Sequence, residues 1–406
     1  MLVKLKYNRK TFFNFFKLAL FISFIDIVLF SLHRILVKYN FTNPDTYDYI
    51  ISDFTWINYI IFFFLSFIVF LITFLFLIIV PKNIFQINIK KKTFVILLFF
   101  LLISSFYVCF ILQDFRPRYT KDSITSFEGI IFMLNNILLL CLYTIYILNR
   151  EKDNSIYFVI LLVCSILTID GLAKGLFTLA ILIFEFYRLS HKKKKYFFLI
   201  FILAIPIIIY VSFNFKYSYR SDDYYIFNDN FESILIYIYD FIIPRISVHG
   251  EHLNAFIFNK LDISNYSFLA NIISESFNNR LKILFNDGHD LFYPKTVGQS
   301  ITFNVRGAYD RGGSSPGYVL SVISFLPFTL PLIILITSIF KNFFLRLNEK
   351  LTFIEIACLC YIFKAITVNL LDMLGLISPN LLLLFLIYLS CNIYLKDSNK
   401  KKFIYN

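Results

Sequence analysis

Charged residues and glycine are both scarce in this chain of 406 residues: Asp, Glu, Lys and Arg together make up 16%, and there are only 11 glycines. Soluble globular domains carry about 25% charged residues. The shortage of charge excludes a water-soluble enzyme, and a 20% share of aromatic residues excludes a disordered chain. The hydrophobic share of 58% instead predicts a polytopic membrane protein.

Cysteine is also rare, and each of the six cysteines lies within an apolar stretch. We expect neither a disulfide framework nor a zinc cluster, because no cysteine lies in a long polar loop and Cys358-x-Cys360 lacks metal-ligand spacing. The six residues are expected to be small members of a hydrophobic core: Cys109, Cys141, Cys164, Cys358, Cys360 and Cys391.

Long apolar runs recur along the chain, and a helix needs about 20 such residues to cross the hydrocarbon of a bilayer. They predict an all-α polytopic integral membrane protein with about ten transmembrane helices and one large external loop. The short fifth and sixth runs flank Asp170-Gly171 and predict a tight helical hairpin. The predicted spans are 12–32, 59–80, 93–112, 129–148, 156–170, 172–188, 197–213, 318–340, 353–370 and 379–395.

The net charge of +13 is distributed unevenly between the segments that join these spans. With both termini cytoplasmic, Lys and Arg are several times denser in the inner segments than in the outer ones, as the positive-inside rule requires. The run His191–Lys195 is then an anchor on anionic lipid, and its alternative is a nucleic-acid patch. The inner segments are 1–11, 81–92, 149–155, 188–196, 341–352 and 396–406.

The spans are arranged asymmetrically around the external loop. Residues 1–213 hold seven spans, 214–317 form the loop, and 318–406 hold three spans and a cytoplasmic tail. A loop of this length is usually functional or disordered, and its aromatic content favours a folded loop. The sequence shows no inverted repeat of broken helices, which is the pattern that would indicate a transporter.

The loop contains a block, Pro244 to Leu253, that combines Arg245 with His249, Glu251 and His252. The two histidines are three residues apart rather than four, so the block does not match a helical zinc pair. Three interpretations remain open: solvated polar histidines, a catalytic or substrate-contacting role, and a metal site of another kind. Arg suits phosphate oxygens, because its guanidinium binds them bidentately and is always charged.

The end of the loop, Asn304 to Tyr318, is rich in Gly and Pro in a chain with few glycines. Unpaired backbone amides before the eighth span could receive an anion, with Arg306 and Arg311 beside them. An ordinary join between loop and helix is the alternative.

Ionisable residues within apolar spans are costly and therefore functional by default. Here Asp26, Glu185, Glu355 and Lys364 lie in spans, and Lys174 lies at the outer end of the hairpin. These carboxylates are too few at mid-depth for a proton relay, which disfavours proton-coupled transport.

Three short motifs resemble those of the Wzy family of O-antigen and capsular polysaccharide repeat-unit polymerases, as does the overall topology. Arg306 followed by ten residues and Gly317 resembles an Arg-x10-Gly pattern of the family's periplasmic loops. The turn Asp170 to Gly175 and the turn Ser314 to Gly317 resemble turns that open spans in these enzymes. The block His249 to Leu253 departs from the His motif of the related O-antigen ligases, which favours a polymerase.

The resemblance implies a bacterial inner-membrane glycosyltransferase that joins undecaprenyl-diphosphate-linked oligosaccharides on the periplasmic face by inverting-type transfer. It implies no cofactor, metal or nucleic acid; the implied partners are the lipid-linked oligosaccharide, the bilayer, a chain-length regulator and a flippase. An O-antigen ligase, a non-enzymatic transporter of lipid-linked oligosaccharide and a membrane O-acyltransferase are the alternatives. The implied diphosphate-binding residues are Arg245, Arg306, Arg220, Arg311 and Lys174, and the implied bases are His252, His249 and Glu251.

Overall fold

The structure is a computed structural model, and it describes a set of separate segments of the chain. Most of the external loop, all of the predicted span 353–370 and most of the first span lie outside them. The described residues are 19–21, 23–25, 27–28, 31–32, 56–80, 85–111, 126–149, 155–169, 172–189, 191–217, 319, 322–323, 330–347 and 379–396.

The described segments are mostly helical, which confirms the helical class. The helices begin and end within a few residues of the predicted spans from 59–80 to 172–188. The elements are α1 (Trp56–Ile79), β1 (Ile87–Lys90), α2 (Lys91–Phe110), α3 (Ser126–Leu148), α4 (Ser155–Leu167), α5 (Leu172–Arg188), α6 (His191–Tyr217), α7 (Leu330–Leu347), α8 (Pro379–Cys391) and β2 (Ile393–Lys396).

Two expectations need correction. The span predicted over 379–395 is a helix only as far as Cys391, and the all-α class must admit a small parallel sheet of β1 and β2. At the end of α8, Asn392 donates its backbone N–H to the Leu389 carbonyl at 2.9 Å, and the chain then becomes extended. Half of the strand residues are β-branched or aromatic, which suits a pleated, half-buried surface: Ile87, Ile89, Ile393 and Tyr394.

The predicted span 197–213 is longer in the structure than expected. Helix α6 begins at His191, so the basic run His191–Lys195 forms its first turns rather than a separate inner loop. A helix that starts in a lysine run can place the lysines beside aromatic rings, and Lys194 Nζ lies 5.8 Å from the ring centre of Phe186.

One helix among the described residues, Lys91–Phe110, is both long and apolar enough to cross a membrane. The helix meets this requirement by its length of 20 residues and its apolar composition. The shorter apolar helical stretches are Tyr59–Thr73, Leu134–Leu148, Ile156–Leu167, Phe197–Ser212 and Ile333–Phe343.

The helices pack into two connected cores. Helices α2 to α6 surround the first core, where Leu101, Leu142 and Phe184 are fully buried. Helices α1, α7 and α8 form the second, around Phe70 and Ile336. Because α8 also packs against α3, the helices after the external loop belong to the same bundle as those before it.

The exterior of the bundle is far more apolar than that of a water-soluble protein. Outward-facing side chains are large and apolar, as in the stripe of Ile60, Phe64 and Ile68 on α1. Buried side chains include polar ones on several helices, among them Ser66 and Thr178. Contiguous exposed apolar surface of this extent is rare on soluble monomers.

A polar clamp joins β1, β2 and Asn149, the residue that follows α3. In the parallel pair, Ile87 lies opposite Ile393 and Lys90 opposite Lys396. On the other side of β2, the Asn149 amide donates to the Ile393 carbonyl at 2.9 Å and its Oδ1 accepts from the Leu395 N–H at 3.1 Å. This single side chain therefore satisfies the outer edge of β2 as a neighbouring strand would.

Helices α5 and α6 approach each other closely at Gly175. A Cβ added there would lie 1.9 Å from Ser212 Oγ and 2.8 Å from Ser212 Cβ, so any side chain at this position must displace α6. Further along, the rings of Phe186 and Phe201 stack with centroids 4.6 Å apart and join the same two helices.

We expect Gly175→Ala to lower the thermal unfolding midpoint of the detergent-purified protein. Overpacking costs about 1–3 kcal/mol, which outweighs the helix-propensity gain of about 1 kcal/mol that Ala brings. The variant Gly175→Ala/Ser212→Gly reopens the space and should recover part of the loss. A Gly175→Ala protein at least as stable as the wild type would contradict the close approach.

Candidate functional site

Of the eight residues predicted to bind diphosphate or act as bases, the structure describes Lys174. The others lie outside the described residues: Arg220, Arg245, His249, Glu251, His252, Arg306 and Arg311. The candidate site is therefore built around Lys174, in the first turn of α5 and directly after the predicted hairpin turn.

The hairpin explains why a cation is stable at this position. Helix α4 ends at Leu167, so the carbonyl of Thr168 lies at the negative end of the α4 dipole and has no further helical partner. Lys174 Nζ donates a hydrogen bond to that carbonyl. The lysine thus caps the helix that precedes its own, which is a common role for basic side chains at helix C-termini.

Lys174 also contacts α3. Its Nζ donates to Asn136 Oδ1 and lies 5.6 Å from the ring centre of Phe132. A carbonyl, an amide oxygen and an aromatic face are all favourable partners for an ammonium group. Residues of α3, the α4 terminus and α5 therefore fix one positive charge at the end of the helical bundle where α4 turns into α5.

Hydroxyl groups continue the polar contacts inward from Lys174. Thr178 Oγ1 donates to the Lys174 backbone carbonyl at 2.8 Å and lies 2.6 Å from Ser165 Oγ. Thr168 Oγ1 donates to the Cys164 carbonyl at 2.9 Å. Such interhelical hydroxyl pairs stabilise helix contacts where the surroundings are apolar.

Asn135 extends the network to a fourth helix. Its amide donates to Ser104 Oγ at 2.7 Å and to Ser105 Oγ at 3.1 Å on α2. The consecutive pair Asn135-Asn136 therefore faces two directions, with Asn135 towards α2 and Asn136 towards Lys174. The sequence interpretation missed this pair, although two adjacent amides within the apolar stretch 126–148 were a visible signal.

Glu185 lies deeper in α5, and its side chain is 1% exposed. It follows Lys174 by three helical turns, about 16 Å along the axis, so the two do not form an ion pair. The sequence suggests that Lys364 pairs with Glu185 or Asp26, and both Lys364 and Asp26 lie outside the described residues. Glu185 therefore lies inside the helical bundle, and its intramembrane location stays a prediction.

The remaining predictions for this region concern cysteines and metals. Cys141, Cys164 and Cys391 are buried, which confirms the interpretation of these three as core residues. Across the described segments, no group of three His, Cys, Asp or Glu side chains could hold a metal ion. The loop histidines His249 and His252 do not enter that comparison.

The arrangement at Lys174 can do one kind of chemistry without rearrangement. An ammonium group attracts anions electrostatically, and its contacts with the Thr168 carbonyl, the Asn136 amide oxygen and the Phe132 ring are with uncharged groups. Lysine acts there as a point charge rather than as a bidentate fork.

Comparisons with known proteins do not indicate a function for this chain. No protein-family model, curated protein or solved structure matches the chain.

We expect Lys174→Met to destabilise the purified protein, because it leaves the Thr168 carbonyl and the Asn136 amide oxygen without their donor. The loss of unfolding free energy should be about 1–3 kcal/mol, measured by thermal unfolding in detergent. Lys195→Met is the matched control, since Lys195 is exposed on α6 and should tolerate the same change. Equal stability of both variants would show that the Lys174 contacts contribute nothing.

Proposed function

We propose that the chain is a polytopic inner-membrane protein of about ten spans. The apolar exterior of the bundle carries this proposal. Helix α6 presents Leu199 and Leu203 outward at 66% and 55% exposure, while Ser212 of the same helix is 1% exposed and inward-facing. Water would penalise that surface, whereas lipid hydrocarbon solvates it.

The contacts between helix ends support the proposed orientation. Residues from the predicted inner segments 81–92, 149–155 and 396–406 meet in the clamp of β1, β2 and Asn149. Lys341, from a fourth inner segment, donates to the Val80 carbonyl at the end of α1. Segments assigned to one side of a bilayer by their charge are thus neighbours in space, and Lys174 belongs to the opposite end.

Within that membrane frame, the proposed activity is polymerisation of undecaprenyl-diphosphate-linked oligosaccharide units into O-antigen or capsular polysaccharide. The large loop predicted over 214–317, between helices that belong to one bundle, and the Arg306-x10-Gly317 pattern support it. The cation at the outer hairpin adds a group of the charge that a lipid diphosphate requires.

The proposed reaction is a glycosyl transfer. A sugar hydroxyl oxygen of the acceptor bonds to the anomeric carbon of the donor, whose bond to the diphosphate oxygen breaks. The hydroxyl proton passes to a base, proposed to be His252, His249 or Glu251. Undecaprenyl diphosphate leaves with the bonding electrons, and its charge is stabilised by Arg245, Arg306, Arg220, Arg311 and Lys174.

The topology has a direct test. Alkaline phosphatase fused within 214–317 should be active, because that enzyme folds only outside the cytoplasm, and fusions within 81–92 or 149–155 should be inactive. Fluorescent protein fusions at the same sites serve as the inverse control. Active phosphatase at 149–155 would reverse the proposed orientation.

The activity is tested in the native host by deleting the gene and separating the surface polysaccharide by electrophoresis. We expect single-repeat glycoforms without a ladder, whereas complete loss of polysaccharide would favour a transporter or ligase. Arg245→Ala and Arg306→Ala should each reduce ladder formation roughly 100-fold or more, as losses of charge-stabilising groups do. Lys295→Ala, in the same loop, is the control, and normal ladders from both Arg variants would contradict the site.

A further inference from the structure

The parallel ribbon places two lysines side by side at its end. Lys90 and Lys396 are register partners, and adjacent strands are separated by about 4.8 Å. Both side chains are exposed. Like charges directly opposite one another destabilise a sheet, so the pair gains from an anion placed between them.

The backbone beneath these lysines is firmly held. Ile87 donates to the Asn392 carbonyl at 2.8 Å, and the Asn149 amide holds the far edge of β2 through Ile393 and Leu395. Lys90 and Lys396 therefore cannot separate without breaking the clamp.

A third exposed lysine and an apolar surface continue from the ribbon. Lys92 lies in the first turn of α2, and the same face of that helix presents Val95, Ile96 and Phe99, of which Phe99 is 61% exposed. From Phe85 to Phe110 the sequence contains no Asp or Glu. The acid adjacent in sequence to the lysines, Asp397, lies outside the described residues.

We propose that this surface binds one anionic phospholipid. Its headgroup phosphate lies among Lys90, Lys92 and Lys396, and an acyl chain follows Val95, Ile96 and Phe99 along α2. This inference rests on the proposed membrane location but not on the proposed enzyme activity. Basic sites on the cytoplasmic side of a helix bundle are suited to anionic headgroups.

The three lysines adjoin the apolar stripe of α2, and this combination favours an anionic phospholipid over other ligands. An acidic peptide would pair with the lysines but leave the α2 stripe exposed, and a free phosphate would likewise use only the lysines. A zwitterionic lipid covers the stripe but brings a positive group to a positive site. A phospholipid of net negative charge satisfies both parts at once.

The test is native mass spectrometry of the full-length, detergent-purified protein titrated with phosphatidylglycerol. Removing both ribbon lysines in Lys90→Gln/Lys396→Gln should weaken binding roughly 25-fold, since one basic residue near an anionic surface contributes about a fivefold factor. Lys90→Arg/Lys396→Arg keeps the charge and should retain binding. Lys4→Gln/Lys6→Gln removes the same charge from the predicted inner segment 1–11 and is the matched control.

Each comparison separates the proposal from a simpler account. Equal weakening by the Lys90→Gln/Lys396→Gln and Lys4→Gln/Lys6→Gln variants would mean that bulk electrostatics alone attracts the lipid and would overturn the site. If phosphatidylcholine with the same acyl chains bound equally well, the lysines would not select an anionic headgroup and the proposal would fail. If inorganic phosphate competed as strongly as the lipid, the apolar stripe would contribute nothing to binding and the proposal would also fail. An unchanged helical circular dichroism spectrum of the Lys90→Gln/Lys396→Gln protein confirms that it folds. None of these measurements depends on polysaccharide synthesis, so they stand if the polymerase proposal fails.

Discussion

The satisfaction of polar groups inside a bundle with an apolar exterior is the constraint on which this structure depends. Helices that present large hydrocarbon side chains outward must turn their hydroxyl and amide groups inward. There, most of these groups have a partner on the same helix or a neighbour, because a buried unpaired donor costs about 1–3 kcal/mol. Asn135 donates to Ser104 and Ser105, and Ser165 lies within hydrogen-bond distance of Thr178, so polar contacts join α2 to α3 and α4 to α5.

The same requirement governs the ends of the helices, where backbone groups have no helical partner. Lys174 satisfies the carbonyl that follows α4, and Asn149 satisfies the open edge of β2. Both are side chains from distant segments of the chain. At each of two opposite ends of the bundle, one polar side chain therefore satisfies backbone groups that lack a helical or strand partner. Basic residues lie at both ends: Lys174 at one, and Lys90 and Lys396 at the other.

The sequence predicted the helices well and their partners poorly. Hydrophobic length placed α4 and α5 within a few residues, because a hairpin around Asp170-Gly171 is a local property of the chain. The strands escaped prediction because their apolar residues, such as Ile393 in Ile-Tyr-Leu-Lys, are continuous with a helical run, and pairing with Ile87 is a long-range contact. For the site, Lys174 was predicted as a diphosphate-binding residue, but its contact with Asn136 depends on how α3 packs against α5.

The contacts of Lys174 also constrain how it could serve the proposed reaction. If its ammonium group moved several ångströms to follow a substrate, the Thr168 carbonyl and the Asn136 amide oxygen would lose their donor while still buried by three helices. The free energy lost with these two hydrogen bonds would add to the barrier of each glycosyl transfer. A lysine that keeps these bonds and acts as a stationary charge avoids it, since electrostatic stabilisation is strongest when the charged group needs no reorganisation. Bidentate contacts with the diphosphate would then be made by the predicted arginines Arg220, Arg245, Arg306 and Arg311, because a guanidinium binds two phosphate oxygens at once.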